Sequence, residues 1–350
     1  MGGMQNVSVQ MTKALNRRED IELKTLILNS SWRFIGIKTF FFLLTLLWKI
    51  PLTVRQYQPD VVLFSSMVTA CVLPAMKKLS VPAVTINHGQ DVTLPVKLYQ
   101  WYLKYVFKKL NGVISVSSAT RMASIKRGLE PAKGIALPNG FEAIKNGELP
   151  SREDALVVVE NEFLKNLKNK KILLTVGRQV KRKGHVWFIE EVLPKVKSDV
   201  LYLIVGSGPE FNNIRNVVEN SPLKDQIVLT GKLSKDLLNT CYVAADLFIM
   251  PNIPIPGDME GFGIVLLEAN RAGVPAIASD LEGIKDVIEQ GVNGYRIAAG
   301  DAMTFAAKID EVLSSDLEAL SIKSKEYVTN TFDWDVVVEK YIDFLKEVNV

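Results

Sequence analysis

Residues 171–184 read Lys-Ile-Leu-Leu-Thr-Val-Gly-Arg-Gln-Val-Lys-Arg-Lys-Gly, an apolar run of strand length that ends in a glycine and passes into a strongly basic loop. A short apolar run bounded by a turn residue is the pattern of a buried strand. Similar runs follow at residues 200–205, 226–229, 246–250 and 274–278, and others precede it at 60–65, 81–86 and 112–116. Helix-compatible stretches separate them. Such alternation implies βαβ units with parallel sheets, so the expected class is α/β with two Rossmann-like, doubly wound domains. The charged segment 146–170, opening with Asn-Gly-Glu-Leu-Pro-Ser, reads as a linker and a surface helix. It places one domain at 1–150, a second at 151–330 and a terminal segment at 331–350.

With 350 residues, 48% of them hydrophobic and 23% charged, the chain has apolar surface for two medium cores. Cys71 and Cys241 stand far apart within apolar runs, which suits core thiols in a reducing compartment better than a disulfide. The first residues carry no charged segment followed by an apolar core and cleavage site, so a cytoplasmic location is expected. Charge is divided unevenly. Residues 1–150 hold 19 Lys and Arg against 8 Asp and Glu, a net +11, whereas the remainder is net −7. The basic half fits an anionic partner, such as a membrane leaflet or a phosphorylated acceptor, or else a solvated face. No aromatic-and-basic motif of a nucleic-acid module stands out, which sets nucleic acid aside. In the most apolar stretch, 34–52, Lys38 and Lys49 bracket ten uncharged residues, whereas a spanning helix needs about 20. The expectation is a buried helix, or one lying in a lipid interface with Trp48, Lys49 and Arg55 at its surface.

Open parallel sheets bind ligands beyond the carboxyl ends of their strands, and two such domains facing each other make a cleft. Glycine and polar residues stand at those ends: His88-Gly89, Ser117-Ser118, Gly177-Arg178, Gly206-Ser207-Gly208 and Gly231. Arg178 offers a planar fork and Lys183 a compact charge, a pairing suited to a diphosphate. A solvated loop is the other reading. The second constellation is Glu260-Gly261-Phe262-Gly263-Ile264-Val265-Leu266-Leu267-Glu268. Its glycines permit close backbone approach, and the helix expected after them turns its first free amides back toward Glu260. Glu260 in the loop and Glu268 in the helix are too differently placed to form an acid/base pair of the glycosidase sort.

In order and spacing these features resemble the family-four glycosyltransferases of the GT-B fold, over nearly the whole chain. Gly2-Gly3 is similar to that family's glycine loop, Pro59-Asp60-Val61-Val62 to its third-strand entry, and the strand ending in His88-Gly89 to its counterpart. Residues 112–117 and Pro138-Asn139-Gly140-Phe141 resemble the closing strand and the turn before the linker. Gly177-Arg178, Lys183-Gly184, Gly206-Ser207-Gly208-Pro209, the two glutamates and Phe332-Asp333-Trp334 complete the likeness.

The resemblance implies a retaining hexosyltransferase that uses a UDP- or GDP-linked sugar as co-substrate, with no metal and no other cofactor. Arg178 and Lys183 would neutralise the diphosphate, and Glu260 would bind sugar hydroxyls. Phe262, Gly263, Ile264 and Val265 would offer backbone amides, and Glu268 would hold the ribose. Gly2, Gly3, Gly177 and Gly208 would line the donor, with His88 across the cleft beside the anomeric carbon. The acceptor would be a glycan or lipid-linked molecule, met at the inner face of a membrane.

Two departures matter. The family places a complete strand before its glycine loop, whereas this chain starts Met1-Gly2-Gly3, so the first strand is expected to be missing. A dinucleotide oxidoreductase would share the alternation, but Phe211 occupies the third small position of the fingerprint begun at Gly206. An inactive glycosyltransferase-like binding protein and a nucleotide-sugar epimerase of the same fold are the remaining alternatives.

Overall fold

Strands of a parallel sheet are buried on both faces and therefore require continuous apolar runs; the runs noted above become strands. The computed structural model describes residues 3–28, 35–142, 149–163 and 165–349. The chain splits into two compact units, one made of Met1–Gly140 with Trp334–Val350 and the other of Phe141–Asp333.

The first unit begins with helices α1 (Gly3–Asn16) and α2 (Ile35–Tyr57), then β1 (Val62–Phe64), α3 (Met67–Ala70) and β2 (Ala83–Asn87). Helices α4 (Gln90–Thr93) and α5 (Lys97–Lys109), β3 (Gly112–Ser115), α6 (Ser118–Ile125) and β4 (Gly134–Ala136) follow. The sheet order is β1-β2-β3-β4, parallel throughout. Among the described residues no strand precedes β1, and 21–28 have no regular structure. Gly2 and Phe34 lie outside the described residues, while Gly3 opens α1.

Helix α2 departs from the sequence expectation. From Gly36 to Tyr57 it is long and apolar enough to cross a membrane by length and composition. Yet Leu46, Ile50 and Val54 are buried with Phe64, Leu103 and Phe107 in the core of this unit. One stripe of the helix is therefore committed to the fold, and the opposite one is exposed.

The second unit comprises α7 (Arg152–Phe163), β5 (Lys171–Val176), α8 (His185–Trp187), β6 (Val200–Val205), α9 (Phe211–Asn220) and β7 (Ile227–Gly231). It continues with α10 (Lys235–Ala244), β8 (Leu247–Met250), α11 (Ile264–Arg271), β9 (Ala276–Ser279), β10 (Gly294–Ile297), α12 (Ala302–Leu313) and α13 (Leu317–Phe332). Its parallel sheet runs β10-β9-β8-β5-β6-β7. The chain winds outward from β5 to β7 and then returns past β5 to β8, which creates a topological switch point between those two strands.

The units divide at Gly140/Phe141 and at Asp333/Trp334, not near 150 and 330. The reason is local: the Phe141 N–H donates to the Phe332 carbonyl at 3.0 Å and Phe141 bridges Asp333, tying together the two ends of the second unit. Helix α14 (Trp334–Val348) belongs to the first unit, where the Trp334 indole N–H donates to Gln10 Oε1 at 2.9 Å.

Candidate active site

At the switch point of the second unit the loops leaving β5 and β6 interlock. Gly206 has φ 136°, and an added Cβ would stand 1.9 Å from the Gly177 carbonyl oxygen. At Gly208 the same atom would stand 2.2 Å from the Gln179 carbonyl oxygen. Backbone bonds close the contact, Gln179 N–H to Ser207 O at 3.0 Å and Glu210 N–H to Gln179 O at 3.1 Å. Gly208 therefore has a structural duty of its own, which is to let the two loops touch. Between them Arg178 is exposed and forms no ion pair among the described residues, while Gln179 is fully buried with neither amide atom partnered.

Lys183 and Glu260, only 6% and 8% exposed, meet through Nζ and Oε2 at 2.7 Å. The Arg182 guanidinium stands 3.4 Å from the same oxygen and 3.1 Å from Asp258 Oδ1, and Asn252 Nδ2 donates to Glu260 at 3.1 Å. What brings these residues together is a tight turn over Lys181–Lys183 that docks on the segment after β8: Ile253 N–H donates to Arg182 O at 2.9 Å. Burial pushes the Glu260 carboxyl up, but Lys183, Arg182 and Asn252 outweigh it and hold it below the usual carboxylate range. Burial draws the Lys183 ammonium down, with Glu260 opposing. The neighbouring His185 is buried with both ring nitrogens unpartnered, and burial beside Lys183 lowers its pKa to about 3.

Gly263, at φ 89°, caps α11 with no side-chain cap, so the first amides of that helix, at Ile264 and Val265, lack intrahelical acceptors. Phe262 packs inward, its ring 6.0 Å from that of Phe332, so any ligand contact here falls to its backbone. Glu268, half-buried on α11, accepts a hydrogen bond from the Tyr242 hydroxyl at 2.8 Å. Burial raises its pKa, with Tyr242 and Arg271 opposing. The two glutamates thus have separate partners.

In the first unit His88 directly follows β2, and its Nε2 lies 2.9 Å from the Ser65 carbonyl oxygen. The buried Asp91 carboxylate accepts from the His88 N–H at 2.8 Å and from the Met67 N–H at 3.0 Å, fixing the turn on which His88 sits. Ser117 caps α6 by accepting from the Thr120 N–H, and Asn87 donates to Ser124 at 3.0 Å. These are residues that organise turns.

Several neighbours of Glu260 and Glu268 escaped the sequence reading: Arg182, Asn252, Tyr242 and Glu282. Glu282 has φ 43°, a costly backbone conformation for a residue with a side chain. Its carboxylate accepts from the Glu260 N–H, while the Gly283 N–H donates to the Glu260 carbonyl at 3.1 Å. The turn after β9 is thereby clamped to the Glu260 loop. Its available signal was a Glu-Gly pair just beyond a strand; Tyr242 and Asn252 carried none.

With this geometry in hand, comparison with known proteins defines the class. A model of the family "Glycosyl transferases group 1" matches residues 159–331, and one of "Glycosyltransferase Family 4" matches 1–143. Between them they take in most of the chain, and it belongs to the glycosyltransferases of the GT-B fold. It is 28% identical over 271 residues to a GDP-mannose-dependent alpha-(1-6)-phosphatidylinositol monomannoside mannosyltransferase of Mycobacterium tuberculosis, covering 74% of this chain and 68% of that protein. It is 26% identical over 271 residues to the phosphatidyl-myo-inositol mannosyltransferase of Mycobacterium leprae, covering 76% and 67%. The crystal structure of HepE from Anabaena in complex with UDP and glucose superposes with a TM-score of 0.73 at 17% identity, over 99% of this chain and 96% of that one.

Proposed function

We propose that this glycosyltransferase moves a hexose from a UDP- or GDP-linked donor to a glycan or lipid-linked acceptor, with retention of configuration and without a metal ion, at the cytoplasmic face of a membrane. The observation that carries the reading is the buried Lys183–Glu260 pair beside the exposed Arg178 at the β5/β8 switch point. Departure of a nucleoside diphosphate builds negative charge on the leaving phosphates and positive charge on the sugar ring, so fixed cations aimed at the phosphates are the strongest lever on the barrier. Arg178 reaches the diphosphate as a free fork, and Lys183 adds a point charge already oriented by Glu260. Glu260, kept ionised by its cations, accepts hydrogen bonds from sugar hydroxyls. The α11 amides of Ile264 and Val265 take an anion or hydroxyl, Glu268 holds the ribose, and Gly177 lets the donor approach the backbone. Gln179 and Asn252 add buried polar atoms without protein partners, the condition that a polar ligand relieves. His88 offers its remaining ring nitrogen to a sugar hydroxyl. Gly3 opens a helix and is given no part in donor binding.

The GDP-mannose dependence of one relative and the UDP bound to HepE support a nucleotide-sugar donor and leave both bases in the proposal. The test is thermal unfolding with UDP, GDP, ADP and their common sugars, first without added metal and then with EDTA. Stabilisation by one nucleotide that persists in EDTA and disappears in Arg178→Ala is the expected result. Stabilisation that EDTA abolishes overturns the metal-free reading, and binding without transfer to any acceptor moves the protein to the inactive-paralogue class.

A further inference from the structure

Helix α2 carries an exposed apolar stripe that the fold of its own unit leaves uncovered. Ile37, Phe40, Phe41, Leu44, Trp48 and Leu52 recur at i, i+3, i+4, i+7, i+11 and i+15, the spacing of one helix face, and all six are exposed. Phe40, Phe41 and Trp48 are 60%, 61% and 59% exposed. Their face lies opposite Leu46, Ile50 and Val54, which are sunk in the core. Fifteen residues of helix rise about 22 Å at 1.5 Å each. An apolar face of that length in contact with water marks an interaction site.

Its chemistry narrows the partner. Neither α2 nor α5 contains an acidic residue, and between them they carry Lys38, Lys49, Arg55, Lys97, Lys104, Lys108 and Lys109. On α5, Leu98, Trp101 and Tyr105 form a second exposed stripe at i, i+3 and i+7, with Lys104 Nζ 5.0 Å from the Tyr105 ring centre. At the carboxyl end of the α2 stripe, Pro51, Arg55, Lys77, Lys78 and Ser80 line a shallow pocket of about 520 Å³ that contains no carboxylate. Lys49, Arg55, Lys77 and Lys78 have no ion-pair partner among the described residues. Apolar side chains, an interfacial tryptophan and unmatched cations beside one another are what a helix lying in an anionic bilayer surface presents.

We propose that α2 lies flat in an anionic phospholipid bilayer, its Ile37–Leu52 stripe among the acyl chains and a lipid phosphate in the Arg55/Lys77/Lys78 pocket. This deepens the reading of a membrane-linked acceptor and names the residues that hold the enzyme where that acceptor resides. The helix does not span, because its inner stripe belongs to the core of the folded unit.

Sedimentation of the full chain with vesicles tests this without donor or acceptor, so it stands or falls apart from catalysis. Vesicles of phosphatidylcholine with a third of phosphatidylglycerol should bind the protein at least tenfold more tightly than phosphatidylcholine alone, and salt should weaken that binding. F40S/F41S/W48S should abolish binding to both. R55E/K77E/K78E should remove the preference for anionic lipid. Free glycerol phosphate should not compete at concentrations matching the lipid, which separates a bilayer from a soluble phosphate ligand. Unchanged binding of either variant, or a wild-type chain that self-associates through this stripe and ignores vesicles, overturns the proposal. Nucleotide-induced stabilisation retained by both variants shows that they are folded and that the donor site is independent.

Discussion

The two units use lysine and arginine in opposite ways. In the Phe141–Asp333 unit two cations turn inward, Lys183 and Arg182, which converge on one buried carboxylate, Glu260, at the carboxyl end of the sheet. In the first unit the corresponding strand ends hold turn-forming groups, His88, Ser117 and Asn87, while the cations lie outside on α2 and α5. A buried charge is worth most where its orientation is fixed and water is excluded. An exposed one acts through its number and its neighbours. The difference matches the two proposals made above, donor chemistry in one unit and surface attachment in the other.

The sharpest break of this contrast is Lys183→Ala, which leaves Glu260 buried without its closest cation. Loss of one partner of a buried pair costs about 3–5 kcal/mol, so both the urea midpoint and turnover should collapse. Combining it with Glu260→Gln should recover much of the stability and none of the turnover. Stability unaffected by the single change would mean that the pair is open to water.

Arg178→Ala should behave differently because Arg178 is exposed. Turnover should drop by the equivalent of about 2.7–4 kcal/mol, whereas unfolding should shift by no more than about 0.5 kcal/mol. Equal losses in both measurements would erase the distinction between the two cations. The sequence reading casts both residues alike, as cations that neutralise the diphosphate; burial against Glu260 adds a structural cost for Lys183 alone.

Acid supplies a third test. His185 is neutral in the fold, with a pKa of about 3 against its ordinary 6.5, so the unfolded chain binds more protons between those values. Stability should therefore be flat with respect to this group above pH 6.5 and fall as pH drops toward 3, by on the order of 2 kcal/mol at pH 5. His185→Leu should flatten that slope in pH-dependent denaturation curves.

The smallest effect is expected from Tyr242→Phe, which removes the hydroxyl that holds Glu268. Donor affinity by titration calorimetry should weaken by about 0.5–1.5 kcal/mol, with little change in turnover at saturating donor. A large loss of turnover would put Glu268 nearer the reacting centre than the ribose role allows.

Sequence and structure agree best where the physics is local. The strands at 171–176 and 200–205 form with the expected bounds, because an apolar run flanked by glycine has few other ways to satisfy its backbone. The strands β4 and β10 were not anticipated: Gly134–Ala136 is three residues long, and Gly294–Ile297 carries Arg296 and a half-exposed Tyr295 as an outer strand can. The roles of Gly206 and Gly208 were half legible. Their place just beyond a strand could be read, but what approaches them there is the neighbouring loop.

By itself the sequence determined the α/β class, the order of the strands along the chain and the division of charge between the halves, since periodicity and composition act over a few residues. Only the tertiary structure decided that Lys183 reaches Glu260 across 77 positions, that Glu282 clamps the same loop, and which stripe of α2 remains uncovered. Those outcomes depend on the return of the chain past β5 and on which helix face the core accepts, and both are settled by contacts between residues far apart in sequence.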